Sequence, residues 1–284
     1  TSIGTNIMKL ISVTSGKGGV GKTTVTCNLA MSLAAAGHRV LIFDGDIGMA
    51  NVDIFFGVRA KKNIKDLLNG ESIHDCMTKL VKNVDLLAGG SGLHELMSIN
   101  AFERREVVQQ IQSIHLNYDY VIIDTAPGLH DYVLHLNAVA DQCVLLITQD
   151  PSSFADAYAL IKTLNAKYKM TDFQVVCNLV KDENGAALFS RFADVVEKFL
   201  TLRLSYLGTI NEDALLKKAQ QMQRLIMRQG MNSEAQKQIH QISVKLIDSL
   251  DTQTPARQTV SARGLNSEEN KGLGGIFFPA SGHA

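Results

Sequence analysis

The chain has 284 residues, with 28 Lys and Arg against 28 Asp and Glu, and four cysteines. That length fits one α/β domain of roughly 250 residues with a tail, and the balanced charge, free of any long basic run, leaves no footprint for nucleic acid as the main ligand. Cys27, Cys76, Cys143 and Cys177 are far apart and form no C-x-x-C pair, which reads as reduced core thiols and removes the easiest argument for a metal or iron–sulfur cluster. Thr1 to Asn6 is short and polar, and no run of about eighteen apolar residues is present to span a bilayer, so a cytoplasmic protein is expected.

Met8 to Val13 is an apolar run that predicts a strand. It leads into Gly16-Lys17-Gly18-Gly19-Val20-Gly21-Lys22-Thr23-Thr24, after which Val25, Leu29, Leu33 and Ala36 recur at helical spacing until Gly37 offers a C-cap. Strand, glycine loop and helix follow one another, and the spacing matches G-x-x-x-x-G-K-[ST]. Glycines let backbone N–H groups converge without a Cβ in the way, and the helix adds the positive end of its dipole, so the backbone from Gly16 to Thr24 is expected to cradle phosphates. Lys22 would reach the β- and γ-phosphates and the Thr23 hydroxyl would ligate Mg²⁺.

Lys17 is not required by that pattern. Directly after the first glycine it resembles the signature lysine of the MinD/ParA class of P-loop ATPases, in which two protomers face each other across two nucleotides and this lysine reaches the partner's phosphates. The resemblance implies a doubly wound α/β fold, a mainly parallel sheet with helices on both faces, with ATP and Mg²⁺ as cofactors and an ATP-dependent homodimer.

Arg39 to Phe43 reads as a buried parallel strand ending in Asp44-Gly45-Asp46. Ligands of open α/β sheets bind beyond the carboxyl ends of strands, which brings both aspartates toward the nucleotide. The resemblance implies that Asp46 positions or activates the attacking water and that Asp44 holds a Mg²⁺-bound water. A short helix is expected over Ile64 to Leu68, a strand over Val84 to Ala88, a flexible Gly89-Gly90-Ser91-Gly92 connection, and an amphipathic helix over Ala101 to His115. Tyr118 to Asp124 reads as an apolar strand ending in Asp124, followed by the turn Pro127-Gly128, the form of a Walker B strand and second switch. Asp124 would hold the Mg²⁺ sphere and Gly128 would present an N–H to the γ-phosphate. His130 and His135 fall on different helix faces and are not expected to share a metal.

Cys143 to Thr148 predicts another strand, and Asp150-Pro151 starts a helix with Ala157, Leu160, Ile161 and Leu164 on one face. The resemblance links Asp156, in its first turn, to Lys17. Strand Phe173 to Cys177 is expected to end at Asn178, whose amide suits an adenine edge; Leu179 stands where the family often has arginine, and Asn211 where it usually has proline. Two helices are expected, Glu212 to Met227 and Asn232 to Leu250. The ATPase domain would thus cover 1–251, with a flexible tail over 252–284. Pro279 would stop a helix in the short patch Leu273 to Phe278, so membrane docking there is not the main expectation.

The stretches 48–53 and 156–162 resemble the flagellar-number regulators FlhG and FleN. That implies flagellar partners, such as a GTPase, a switch protein or a transcription regulator, and leaves room for peripheral membrane contact. Two alternatives stay open: a partitioning or division-site ATPase, and a non-catalytic ATP-binding scaffold.

Overall fold

Strands buried along their whole length need cover on both faces, and the chain supplies it by alternating strands with helices. The computed structural model describes residues 8–46, 50–90, 100–181, 184–228 and 233–252. In chain order the first elements are β1 (Lys9–Thr14), α1 (Lys22–Ala35), β2 (Val40–Gly45), α2 (Val52–Phe56), α3 (Ile64–Leu68), α4 (Ile73–Cys76), β3 (Met77–Val81) and β4 (Val84–Leu87). Then come α5 (Ala101–Ser113), β5 (Tyr120–Thr125), α6 (Asp131–Val139), β6 (Gln142–Ile147) and α7 (Pro151–Tyr168). The last are β7 (Asp172–Val180), α8 (Gly185–Phe199), β8 (Arg203–Asn211), α9 (Ala214–Gln221), a 3₁₀ turn (Ile226–Arg228) and α10 (Glu234–Thr252).

The strands form one eight-stranded sheet in the order β3-β4-β2-β5-β1-β6-β7-β8, parallel except for β3, which is antiparallel to β4. Alternate strand residues go to opposite faces. Val40 and Ile42 join Ile11, Val13, Ile122 and Val144 against α1 and α10, where Leu29, Leu33, Ile239, Ile242 and Leu246 are buried. Leu41 and Phe43 face the other way, packing with Val121, Ile123 and residues of α3 and α5. Leu145, Ile147, Val175 and Cys177 are covered by Leu160 and Ile161 of α7 and by Leu188, Phe192 and Val196 of α8. Each such side chain contributes about 1.5–3 kcal/mol relative to exposure, so α1 and α10 are held by packing rather than by helix propensity. The four cysteines are buried and free.

Several elements depart from expectation. The helix expected over Glu212 to Met227 stops at Gln221, because Gln223 turns through the left-handed region at φ 51°, and the chain resumes as the 3₁₀ turn. Strand β7 runs past Asn178 to Val180, so the asparagine lies within the strand. Gly89 is a packing glycine, since a Cβ there would come 2.3 Å from the Asp44 carbonyl oxygen, and Gly90 follows at φ 91°; Ser91-Gly92 lies outside the described residues. So do Asn232, the tail beyond Thr252 and the patch at 273–278. No described helix is long and apolar enough to cross a membrane.

This order fixes the place of the glycine loop. β1 lies between β5 and β6; the chain leaves β1 for β2 on one side of it, whereas the connection from β5 crosses to β6 on the other, so the loop at the carboxyl end of β1 sits at a topological switch point.

Candidate nucleotide site

Gly19 and Gly21 take φ of 77° and 92°, a region that side chains disfavour. Gly16 is needed for a different reason: a Cβ would stand 2.1 Å from the carbonyl carbon of Asp156, so the loop lies directly on the backbone of α7. Buried Val20 anchors the far side of the loop. Gly21 is the N-cap of α1 and no side chain caps that terminus, which leaves the first amides of the helix for an anion.

Lys22 is buried, and its Nζ donates to Ser15 Oγ at 3.0 Å, while the Ser15 hydroxyl donates to the Lys17 carbonyl at 2.7 Å. Burial lowers the Lys22 pKa against the pull of Asp124 and Asp46. Asp124 is fully buried at the end of β5. Thr26 Oγ1 donates to its Oδ1 at 3.2 Å, and its Oδ2 has no partner among the described residues. Burial pushes its carboxyl up to about 6, although Thr23, Lys22 and Thr26 favour the charged form.

Asp44 stands beside Asp124 in the parallel register of β2 and β5. Burial and the Asp124 charge push it up to about 8. Its carboxylate also accepts the N–H groups of Asp46, Asn51 and Val52 at 3.2, 3.1 and 3.2 Å, so it holds the segment after β2 in place. Asp46 is half-buried; burial raises its pKa and Lys22 opposes the shift.

Two adjacent buried carboxylates, Asp124 with its orphaned oxygen and Asp44, form with the Thr23 hydroxyl a set of hard oxygen donors that fits Mg²⁺. Among the described residues no three His, Cys, Asp or Glu side chains converge. A cation here would therefore lean on one or two carboxylates, Thr23 and nucleotide phosphates, the usual way in which Mg²⁺ is held.

Lys17 is engaged within its own chain. Its Nζ lies 2.5 Å from both Asp150 Oδ2 and Ser152 Oγ. The expected partner, Asp156, instead presents its backbone to Gly16, and its side chain is exposed. Asp150 caps α7 through Oδ1, which accepts the Ser152 N–H at 3.0 Å, and the Lys17 hydrogen bond holds its carboxyl down at about 2. Asn178 is buried behind the loop, where its Nδ2 donates to the Val20 carbonyl at 2.7 Å. Its Oδ1 is buried without a partner among the described residues. Gly128, at φ 98°, directs its N–H to the Ser15 carbonyl at 3.4 Å.

The chain matches the family model described as AAA domain over residues 8–175. It is 35% identical to the antiactivator FleN of Pseudomonas aeruginosa, covering 80% of this chain and 82% of that protein. With the flagellum site-determining protein YlxH of Helicobacter pylori it shares 34% identity, covering 86% and 83%. The chain belongs to the MinD/ParA family of P-loop ATPases. Its fold matches Pyrococcus horikoshii MinD, solved with Mg-ADP, at a TM-score of 0.71 and 22% identity, covering 87% and 98%.

Within this MinD/ParA frame the chain keeps features of its own. Leu179 occupies the left-handed region at φ 55°, at an irregularity in the β7–β8 pairing. As site residues, Ser15, Thr26, Asp150 and Ser152 escaped the sequence reading, which took Asp150 only as a helix start. Thr26 falls one helical turn after Thr23, and Asp150-Pro151 is a helix-start pattern at a strand's carboxyl end, so both left a trace. Ser15 left none beyond its adjacency to the loop.

Proposed function

We propose that this chain is a Mg-ATP-dependent, dimerising ATPase that acts as a switch in flagellar number or placement. The observation that carries the reading is the convergence of Lys22, Asp46, Asp124 and the glycine loop on one end of the sheet, with Lys17 at its rim. Loop amides and the α1 terminus receive the phosphates, and Lys22 moves from Ser15 to the β- and γ-oxygens. Mg²⁺, when bound, neutralises charge between those phosphates. Asp46 orients the water and accepts its proton; burial, which raises its pKa, suits that task. Lys17 leaves Asp150 and Ser152 to reach the partner's phosphates, where a cation stabilises the charge of phosphoryl transfer. Hydrolysis removes that bridge and frees the dimer. Asn178, buried behind the loop with one acceptor unspent, is the residue proposed for the adenine edge. The likeness to YlxH, a flagellum site-determining protein, supports a flagellar role, and the 28 to 28 charge balance weighs against DNA as the ligand of a partitioning ATPase.

Phosphate release by wild type and Asp46→Ala tests the chemistry: a strong loss is expected, and equal rates would remove Asp46 from catalysis. Gel filtration of Asp46→Ala with ATP tests the switch, since a persistent monomer contradicts the nucleotide sandwich.

A further inference from the structure

Two hydrogen bonds bind the start of α1 to a distant part of the chain. Gln220, half-buried in the last turn of α9, donates from Nε2 to Thr24 Oγ1 at 2.9 Å. Asn28, one turn below and 1% exposed, donates to the Thr24 carbonyl at 2.8 Å and accepts the Met227 N–H at 3.2 Å. The segment 214–228 therefore grips the nucleotide loop at Thr24 and just behind it.

A hydroxyl has one proton to give. The Thr24 oxygen already accepts from Gln220, and its proton meets no acceptor among the described residues. Thr24 itself is 7% exposed, in the first turn of the uncapped helix. We infer that Gln220 is a positioning residue for nucleotide: by donating to Thr24 it turns the hydroxyl proton toward the polyphosphate. This rests on the proposed ATP-binding reading. An amide oxygen or a water in the same place would accept that proton and aim it away from the anion, so the direction of the Gln220 hydrogen bond decides whether Thr24 helps. The contact lies at the helix start, where phosphates common to ADP and ATP sit. It therefore acts on both nucleotides alike and contributes uniform binding rather than transition-state binding.

The test is titration of full-length protein with fluorescent mant-ADP and mant-ATP, alongside ATPase kinetics, for wild type, Gln220→Ala, Thr24→Val and the double variant. Gln220→Ala is expected to weaken both nucleotides by the same factor, about 2- to 12-fold for one neutral hydrogen bond. KM should rise with kcat unchanged, and the substitution should cost no further affinity in the Thr24→Val background. Gln220→Glu keeps the shape but accepts the proton, so it should bind more weakly than Gln220→Ala. Urea midpoints for each variant separate folding from binding. Wild-type protein that binds neither nucleotide refutes the ATP-binding reading itself. Wild-type binding matched by Gln220→Ala, or an equal Gln220→Ala loss with and without the Thr24 hydroxyl, overturns only the role of Gln220.

Discussion

Gly16 is the fixed first glycine of the loop pattern and Gly18 falls at one of its free positions, and the structure supplies the steric reason. An alanine Cβ at Gly16 would stand 2.1 Å from the Asp156 carbonyl carbon, 2.2 Å from its oxygen and 2.6 Å from the Ala157 nitrogen. Carbon pairs settle near roughly 3.5 Å, so the two backbones must separate by about 1 Å or more. α7 cannot yield, because Ala157, Leu160, Ile161 and Leu164 are fully buried. The loop must move instead. Overpacking of this kind costs about 1–3 kcal/mol, a fall in Tm of roughly 2–12 °C for a domain of this size, and a displacement of about 1 Å costs on the order of 100-fold in rate. At Gly18 the added Cβ would meet only Pro127 Cγ at 3.7 Å, an ordinary contact, and its φ is not positive. Thermal melts and kcat/KM for phosphate release on Gly16→Ala and Gly18→Ala read the difference. Equal Tm and equal kcat/KM in the two variants would refute the claim that α7 braces the loop through Gly16.

Burial, reinforced by Arg104 and Arg105, holds the His135 imidazole at about 4, below its unfolded value near 6.5. Stability from the neutral imidazole is thus fully present above pH 6.5 and is lost as pH falls toward 4, by about 2 kcal/mol between pH 7 and 5. Urea midpoints should show that slope in wild type and lack it in His135→Leu; parallel curves count against it. Asp150→Asn keeps an acceptor for the Ser152 N–H but gives up the charge that holds Lys17. Sedimentation velocity with ATP should then show more dimer at equal concentration, and less or unchanged dimer would mean that the Asp150 contact does not compete with assembly.

Local pattern made much of this protein legible. The strand, the glycine loop and the helix were visible together because each has its own period and its own steric demand, and the strand-end aspartates Asp44 and Asp124 were visible because an acid closing an apolar run is conspicuous. Edge strand β3 was not, since its partly exposed residues carry no continuous apolar run. Helix α8 went unread although Leu188, Phe192 and Val196 recur at helical spacing.

By itself the sequence determined which residues are buried along the periodic elements it revealed and which loop can receive phosphate, because periodicity and backbone freedom are properties of neighbours in the chain. Only the tertiary structure decided that Lys17 meets Asp150 rather than Asp156, that Gly16 lies on α7, and that Gln220 reaches Thr24 across 196 positions. Such pairings depend on how separate helices and strands pack, and no period within a single segment encodes them.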